Sequence, residues 1–384
     1  MTISNSNSYT DKTARCAIIG IGAMGKKYAL MLDSGEISGL SLTAVCCRSD
    51  ENAQWASSRL SDSVKIFRSE EEMYENSQCF DAVIIVTPHK KHPAMAIRAF
   101  EAGKHVLCDK PAGALFTDAE AMNEAAARSG KIYAMMCHQR TYAQHVKVRS
   151  LLTKNAIGEI RRIFLESTGS FRTQFYHHSS DWRSSWTGEG GGVLINQGYH
   201  LMDLWQYLFG LPLSLYADIP FGKYNDFDVD DESTIVMDYP GKVTGTIIMS
   251  TGEGVPTERL EVIGTRGRIL LDGTNVTLTR FHKDLRDYAR SAQVTSTQEL
   301  SMTEETYEFG SPDRAYQIML QNFSDALSSG TALIAPGRDS ADTLSMINGA
   351  YLSAWQGRKV TLPLDGAQYA EALKAKMEAE TAGK

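Results

Sequence analysis

The feature that most constrains this fold is a glycine-rich hexapeptide, GIGAMG, at positions 20–25. It follows the apolar run RCAIIG and precedes an amphipathic segment, so it joins a predicted strand to a predicted helix. In that context Gly20 allows a tight turn, Gly22 allows the backbone to approach a pyrophosphate, and Gly25 allows close packing of helix and strand. The N–H groups of the helix N-terminus then face the phosphates. The pattern predicts a dinucleotide-binding loop.

Strands and helices alternate through the first third of the chain. Continuous apolar runs, which suit strands buried on both faces, lie at 15–20, 42–47, 81–88, 105–111 and 131–137. Helical patterns separate them, which is typical of a doubly wound parallel sheet. Later segments between 233 and 281 have period two and indicate an antiparallel sheet. The predicted fold class is therefore α/β, with an N-terminal Rossmann domain and a second domain that contains helices and an antiparallel sheet.

These patterns divide the 384 residues into segments. We predict a disordered tail over 1–14, a Rossmann domain over 15–137 and a second domain over 138–364, whose part 341–364 can pack back near the first domain. The last segment, 365–384, is predicted to be a polar tail that can form a helix.

Composition excludes several classes of protein. The chain carries 39 basic and 46 acidic residues, a net charge of −7, so it lacks the basic surface of a nucleic-acid-binding protein. No apolar run approaches the roughly 20 residues of a membrane-spanning helix, so we expect no membrane partner. The six cysteines show no CxxC spacing and predict a reducing, cytoplasmic location.

The end of the second predicted strand bears on the choice of cofactor. An acidic residue there would bind the ribose hydroxyls of NAD, but the chain has Cys47, Arg48 and Ser49. Arg48 and Ser49 can bind a 2′-phosphate, which favours NADP slightly. Arg48 can also stack on adenine, and Asp50 is close enough to bind the ribose, so both NAD and NADP stay open.

Candidate catalytic residues lie in two motifs. Lys110, in HVLCDKPAG, follows a predicted strand at the edge where parallel sheets bind their ligands. Asn196, His200 and Asp203 are spaced to share one face of a helix predicted over 194–210, after a glycine run that lets the backbone approach a ligand. One histidine, one aspartate and an amide make a poor zinc site, so no metal is expected.

Together these motifs make the chain resemble the Gfo/Idh/MocA family of oxidoreductases from Arg15 to Pro363. The resemblance is carried by the glycine loop, by TPHKKH, by DKP where the family usually has EKP, by GGG followed by N-x-G-x-H-x-x-D, and by GRKVTLP. It implies a C-terminal domain with an open, mostly antiparallel sheet, one face of which lines the active site. The other face often mediates oligomerisation, so a dimer, tetramer or hexamer is implied.

The resemblance also implies roles for single residues. The family's catalytic lysine corresponds to Lys110, its histidine to His200, and its frequent aspartate four residues earlier to Asn196. Because an amide cannot exchange protons, a proton relay through Asn196 is not expected. The N-Q-G-x-H form resembles members that oxidise C3 of nucleotide sugars or glycosides.

The resulting hypothesis is reversible oxidation of a ring hydroxyl of a sugar, glycoside or polyol by NAD(P). His200 would accept the hydroxyl proton, and Lys110 would hydrogen-bond the same oxygen. The residues expected to contact the cofactor are Gly20, Ile21, Gly22, Ala23, Met24, Gly25, Cys47, Arg48, Ser49, Thr87, Pro88, His89, His92, Asp109, Lys110 and Gln139. Those expected to contact the substrate are Arg140, Tyr142, Arg172, Trp182, Arg183, Asn196, Tyr199 and His200.

Three other functions remain open at this point, of which dihydrodiol or imine-type reduction is disfavoured by the polar loop at 171–187. A glycosidase that oxidises the sugar transiently, eliminates the glycosidic bond and retains its NAD would use the same residues. A non-catalytic regulator that senses a dinucleotide would share the Rossmann domain, although the presence of both Lys110 and His200 disfavours it.

Overall fold

The computed structural model describes residues 13–180 and 182–382, which form two compact units with one sheet each. The first unit contains the chain up to Gly113, Thr117–His138 and Arg314–Ala341. The second unit contains Ala114–Phe116, Gln139–Asp313 and the chain from Asp342 onward.

A parallel sheet of six strands forms the core of the first unit. The strands are β1 (Ala14–Ile19), β2 (Leu40–Cys46), β3 (Lys65–Phe67), β4 (Ala82–Ile85), β5 (His105–Cys108) and β6 (Tyr133–Met135). Their spatial order is β3-β2-β1-β4-β5-β6, and all pairs are parallel. The order reverses between β1 and β4, where such sheets bind ligands at the carboxyl ends of the strands. The predicted Rossmann sheet is confirmed.

Helices connect these strands. They are α1 (Ala23–Asp33), α2 (Asp50–Arg59), α3 (Glu70–Glu75), α4 (His92–Glu101) and α5 (Phe116–Ser129). Serine hydroxyls cap two of them: Ser49 accepts the N–H of Asn52 in α2, and Ser69 accepts the N–H of Glu72 in α3. Helix α1 instead starts after Gly22, which supplies no side-chain cap for the first N–H groups.

A mixed sheet of nine strands dominates the second unit. The strands are β7 (Ile160–Ser167), β8 (Ser214–Asp218), β9 (Glu232–Tyr239), β10 (Val243–Ser250), β11 (Glu258–Gly264), β12 (Gly267–Asp272), β13 (Asn275–Phe281), β14 (Met302–Glu308) and β15 (Val360–Thr361). The order is β14-β13-β12-β11-β7-β10-β9-β8-β15. The pair β7–β10 is parallel and the others are antiparallel, which confirms a mostly antiparallel sheet.

One face of this sheet is buried and the other is partly exposed. In β11, for example, Leu260 and Val262 are buried, whereas Arg259 and Glu261 lie on the other face. The remaining helices of the chain are α6 (Ala143–Thr153), α7 (Gln174–His177), α8 (Gly198–Phe209), α9 (Leu285–Ser291), α10 (Ala315–Ser329), α11 (Asp339–Gln356) and α12 (Gly366–Ala382).

Helix α10 belongs to the first unit, although the sequence prediction placed it in the second domain. Its Gln321 side chain accepts the N–H of Ser38 at 2.9 Å and donates to the carbonyl oxygen of Ser38 at 3.1 Å. Ser324 donates to the same carbonyl at 2.6 Å. Because these bonds join residues almost 300 positions apart, the local sequence of α10 could not predict that it packs in the first unit.

The C-terminal segment, for which the sequence predicts a polar tail that can form a helix, is a helix with buried side chains. Tyr369 and Leu373 in α12 are buried, with 0% and 4% of their surface exposed. The buried Glu380 carboxylate accepts the N–H groups of Trp186 at 3.0 Å and Thr187 at 2.8 Å. A stripe of one tyrosine and one leucine among polar residues was too weak a signal to predict this contact.

The predicted N-terminal tail lies outside the described residues, except for residue 13 and Ala14, the first residue of β1. Among residues 13–180 and 182–382, no helix is long and apolar enough to cross a bilayer.

Candidate active site

The glycine loop of the first unit has the geometry that a dinucleotide requires. Gly20 has φ +99°, and a Cβ there would lie 2.3 Å from the carbonyl oxygen of Val86. A Cβ on Gly25 would lie 2.0 Å from the carbonyl oxygen of Gly20, so only glycine allows α1 to approach β1. A Cβ on Gly22 would meet no protein atom within 4 Å. Gly22 therefore faces open space at the uncapped end of α1, where a pyrophosphate fits.

A cavity of about 700 Å³ opens beside this loop. Of the predicted cofactor contacts, those that line it are Gly20, Ile21, Gly22, Cys47, Arg48, Ser49, Thr87 and Pro88. Nine lining residues were missed by the sequence prediction: Ile19, Cys46, Asn52, Ser69, Glu70, Glu71, Val86, Lys91 and Met95. Ala23, Met24 and Gly25 lie in the first turn of α1 and do not line the cavity. The residues present therefore fit a nicotinamide dinucleotide.

Charged residues after β2 determine the electrostatic environment of the part of this cavity next to α2. Arg68 donates to the carboxylate of Asp50 at 2.6 Å and to the carbonyl oxygen of Arg48 at 2.8 Å. The Asp50 charge is therefore partly neutralised by a partner. Ser49 caps α2, so its position at the N-terminus of a helix also favours an anionic ligand.

The prediction that His92 contacts the cofactor is wrong. Its side chain is completely buried, and its ring nitrogens lie 2.6 Å from the carbonyl oxygens of Pro111 and Thr87. Burial lowers the pKa of His92, and the charge of Lys110 acts in the same direction, whereas the two carbonyl groups oppose both. His92 instead connects the end of β4 to the turn that carries Lys110. His89 is also buried, at 7% exposed, and does not line the cavity.

Lys110 lies in the turn that follows β5 and is half-buried. Removal from water raises the pKa of the neighbouring Asp109 to about 6, although the charge and the N–H of Lys110 lower it. The pKa of His138 falls to about 4, because the ring is buried and because Lys110 and Lys27 carry positive charge nearby. His138 is therefore a neutral ring at neutral pH.

In the second unit, the predicted helical relation between Asn196 and His200 is wrong. Helix α8 begins at Gly198, and Asn196 lies in the turn before it. In that turn the N–H of Asn196 donates to the carbonyl of Gly192 at 3.2 Å, and the N–H of Gly198 donates to that of Val193 at 2.7 Å. His200 is half-exposed in the first turn of α8.

A buried carboxylate accompanies Asn196. Glu189 is 2% exposed and accepts a hydrogen bond from Asn196 Nδ2 at 2.5 Å and from the N–H of Ser184 at 2.8 Å. Because a carboxylate only accepts, it orients the NH2 end of the Asn196 amide toward itself. Charge-assisted hydrogen bonds of this kind are stronger than neutral ones. The turn before α8 is thus anchored by an ionic group.

The prediction that Arg140 contacts the substrate is wrong. Its side chain is 1% exposed and forms a bidentate pair with Asp203 of α8, from Nε at 2.9 Å and from Nη2 at 2.7 Å. Tyr199 is 0% exposed and cannot contact a substrate either. Both side chains face the interior because α8 packs its inner surface against the rest of the second unit.

Arginine and aromatic side chains gather in the loop between β7 and α8. The Tyr176 cluster comprises Arg172, Tyr176, Trp182 and Arg183. The guanidinium carbons of Arg172 and Arg183 lie 4.9 and 4.7 Å from the centre of the Tyr176 ring. The Tyr176 hydroxyl accepts hydrogen bonds from Arg183 at 2.8 Å and Gln197 at 3.1 Å. The cluster is therefore joined by a hydrogen bond to Gln197, the residue before α8.

A second cavity, of about 350 Å³, lies within the second unit. Its apolar wall includes Leu165, Met249, Leu260 and Leu271, and its polar wall includes Gln139, Tyr142, Ser167, Gln197 and Glu258. Glu258 accepts hydrogen bonds from Ser167 Oγ and the N–H of Gly169, and partial removal from water still raises its pKa. Such a mixture of acceptors, amides and apolar surface suits a ring that carries hydroxyl groups.

The residues of this site that the sequence prediction missed include Tyr176, Glu189 and Glu258. The sequence does carry a signal that could have indicated Glu189, because it is an acid inside the glycine run GEGGG. Tyr176 stood among other aromatic residues of a polar loop, and Glu258 opened an ordinary alternating strand, so neither was distinguished by its local pattern.

Comparisons with known proteins agree with both units. A model described as an oxidoreductase family with an NAD-binding Rossmann fold matches residues 14–137, and a GFO/IDH/MocA C-terminal domain model matches residues 145–270.

Two relatives and one solved structure that are similar to the chain are named as dehydrogenases. The chain is 26% identical to bovine trans-1,2-dihydrobenzene-1,2-diol dehydrogenase over 66% of its own length and 72% of that protein. It is 28% identical to scyllo-inositol 2-dehydrogenase (NADP(+)) of Bacillus subtilis over 67% of its own length and 76% of that protein. Its fold is similar to that of the WlbA dehydrogenase of Bordetella pertussis, which was solved with NADH and UDP-GlcNAcA. The TM-score is 0.79 and the sequence identity 22%, over 93% of this chain and 99% of the WlbA chain. The chain belongs to the Gfo/Idh/MocA family of NAD-binding oxidoreductases.

Proposed function

We propose that this protein oxidises a ring hydroxyl of a sugar, glycoside or polyol with NAD(P), at C3 where the substrate is a sugar. The observation that carries the proposal is the half-exposed His200 at the start of α8, in the same unit as a cavity with hydroxyl-binding walls. The N-Q-G-x-H sequence supports C3 by resemblance. Two relatives are named as dehydrogenases of a ring diol and of an inositol, which supports a cyclic alcohol as the substrate.

Each catalytic residue has a distinct task in this proposal. His200 accepts the hydroxyl proton, since an imidazole is a base near neutral pH. Lys110 donates a hydrogen bond to the same oxygen and stabilises its developing negative charge. Asn196, anchored by Glu189, positions His200 or a substrate hydroxyl. Gln139 remains proposed as a partner of the nicotinamide amide. The bound nicotinamide supplies the acceptor or donor of the hydride.

We also propose that Arg48 lets the enzyme use NADP. A guanidinium group forms bidentate bonds with phosphate, and Asp50, two residues further along the chain, is already paired with Arg68. We expect Arg48→Ala to raise the KM for NADP roughly 10- to 100-fold, the scale of lost hydrogen bonds to a charged group, with little effect on the KM for NAD. Initial rates with both cofactors measure this, and Arg59→Ala on α2 is the control. Equal effects on both cofactors would contradict the role of Arg48.

The anchoring role of Glu189 is also testable. Glu189→Gln keeps the shape of the side chain but removes its charge, so Asn196 loses an acceptor-only partner. We expect kcat to fall roughly 10- to 100-fold, as expected for a small misplacement of catalytic groups, while the cofactor affinity stays unchanged. Steady-state kinetics and cofactor titration measure the two quantities. An unchanged kcat, with Glu253→Gln as the surface control, would rule the role out.

The partly exposed face of the second sheet supports our proposal of a homo-oligomer. It carries exposed apolar side chains, among them Tyr216 in β8, Val236 in β9 and Met302 in β14. We also propose a cytoplasmic location, which the cysteine content supports because it shows no disulfide spacing.

Initial rates with NAD and NADP against sugars, glycosides, uronates and inositols test the proposed function. We expect cofactor reduction with at least one ring alcohol, and NMR of the product identifies the oxidised carbon. Release of an aglycone without net cofactor reduction would instead support an oxidation–elimination glycosidase. Tight cofactor binding with no turnover of any compound would support a dinucleotide-sensing regulator.

A further inference from the structure

The Tyr176 cluster holds two positive charges that no described side chain neutralises. Arg172 and Arg183 are half-buried, and none of the described carboxylates lies within ion-pair distance, 4.0 Å, of either guanidinium. Their hydrogen-bond acceptors are neutral: the carbonyl oxygen of Phe171 at 2.9 Å and the hydroxyl of Tyr176 at 2.8 Å. Most other half-buried charges of a protein are paired, because removing a charge from water is costly.

The two arginines also repel each other. Both guanidinium carbons lie within 5 Å of the same ring centre, at 4.9 and 4.7 Å, so the two charges are within roughly 10 Å of each other, about the Debye length at 0.1 M salt. The Nε atoms of both are buried and have no hydrogen-bond partner among the described residues. Burial lowers the pKa of the nearby His177, the charge of Asp231 raises it, and the charges of Arg172 and Arg183 lower it.

Among the residues that the structure describes, the acids near the cluster either bond to other groups or lie beyond ion-pair distance. The Glu189 carboxylate is bonded to Asn196 and Ser184. The Asp231 carboxylate accepts the N–H groups of Lys223, Tyr224 and Asn225. Asp226, Asp228 and Glu380 line a cavity with Arg183 but lie beyond ion-pair distance from it. An anion supplied from outside is therefore the group that would balance the two arginines.

We propose that Arg172 and Arg183 bind an anionic group, a carboxylate or a phosphate, carried by the substrate. The planar fork of a guanidinium matches both groups, whereas neutral hydroxyls leave the charge uncompensated. The cluster is joined to the proposed catalytic helix through the hydroxyl of Tyr176, which also accepts a bond from Gln197, one residue before α8. The inference rests on the proposed function, since it names a substituent of the same substrate.

Matched substrates test the inference. We compare kcat/KM for a neutral glucoside, the corresponding glucuronide and the corresponding 6-phosphate, so that the last two separate carboxylate from phosphate. We expect one anionic compound to exceed the neutral one at least about 10-fold, and we expect Arg183→Gln and Arg172→Gln each to reduce its kcat/KM roughly 10- to 100-fold. Each variant should lower the kcat/KM of the anionic compound more than that of the neutral glucoside, and added salt should reduce the advantage of the anion.

Controls separate binding from folding. Arg149→Gln removes an exposed arginine that also stacks on a tyrosine, Tyr207, and donates to its carbonyl, so it should leave the preference unchanged. Arg183→Lys keeps the charge and should retain part of the preference, which a merely structural arginine would not do. Thermal unfolding and cofactor titration confirm that each variant is folded.

Calorimetric binding of glucose, glucuronate and glucose 6-phosphate to the cofactor-loaded protein gives an answer that does not need turnover. Tighter binding of either anion, if it is lost in Arg183→Gln, supports the inference even when no compound is oxidised. That combination of results would contradict the proposed function but not the anion site. Oxidation of neutral sugars with equal or weaker binding of both anions overturns the inference and leaves the proposed function standing.

Discussion

Replacing His200 by alanine is expected to lower kcat by about 10²–10⁴, the usual loss when a general base is removed. Lys110→Ala should produce a loss of the same order, because the developing negative charge on the substrate oxygen loses its hydrogen-bond donor. Steady-state rates with the substrate identified by the panel measure both losses. Cofactor affinity should stay nearly unchanged in His200→Ala, since His200 belongs to the second unit and the glycine loop to the first.

Two controls make this prediction specific. His282→Ala removes a histidine that follows β13, and Lys154→Ala removes an exposed lysine after α6, so both variants should retain full activity. Full activity of His200→Ala or Lys110→Ala would remove that residue from the proposed mechanism, whatever the controls show.

The largest expected effect on stability comes from the pair of Arg140 and Asp203. Their side chains are 1% and 2% exposed, and two short hydrogen bonds join them. Asp203→Ala leaves a buried guanidinium without its counter-charge, so we expect a loss of about 3–5 kcal/mol in the free energy of unfolding. Chemical denaturation monitored by circular dichroism measures the change.

A surface pair provides the matched control for this prediction. Asp238 and Lys359 also form an ion pair, but their side chains are 40% and 58% exposed. Exposed pairs contribute about 0–1 kcal/mol, so Asp238→Ala should cost little. The double change Arg140→Met with Asp203→Leu should recover much of the loss, because apolar groups replace both charges. A loss in Asp203→Ala no larger than in Asp238→Ala would contradict the account of a buried pair.

Local patterns predicted the first unit well. Apolar runs such as AVII in β4 are buried at every position, so they indicate a strand covered on both faces. The glycine loop was also predicted, since a Cβ on Gly20 or Gly25 would collide with the backbone and Gly22 leaves open space for a ligand. What the local pattern could not show is the role of His92, whose partners Thr87 and Pro111 fix it inside the first unit.

Long-range pairs account for most of what the sequence prediction missed. Arg140 was predicted to bind substrate because cationic and aromatic side chains in 140–186 suit a sugar, but its partner Asp203 is 63 positions away. Glu380 bonds to Trp186 from 194 positions away, so α12 looked like a polar tail. Asn196 is anchored by Glu189, seven positions away. A helix was predicted from residue 194, so the turn before α8 that brings the two residues together was missed.

Isotope transfer tests the central claim most directly. The substrate found in the panel, deuterated at its ring carbons, is incubated with oxidised cofactor in ordinary water, and the recovered reduced cofactor is analysed by NMR and mass spectrometry. The account predicts one deuterium at C4 of the nicotinamide for each molecule of ketone formed, and a slower chemical step than with the undeuterated substrate. Reduced cofactor without deuterium would contradict hydride transfer from a ring carbon, and product formed with no net cofactor reduction would contradict net oxidation of the substrate as the reaction of this protein.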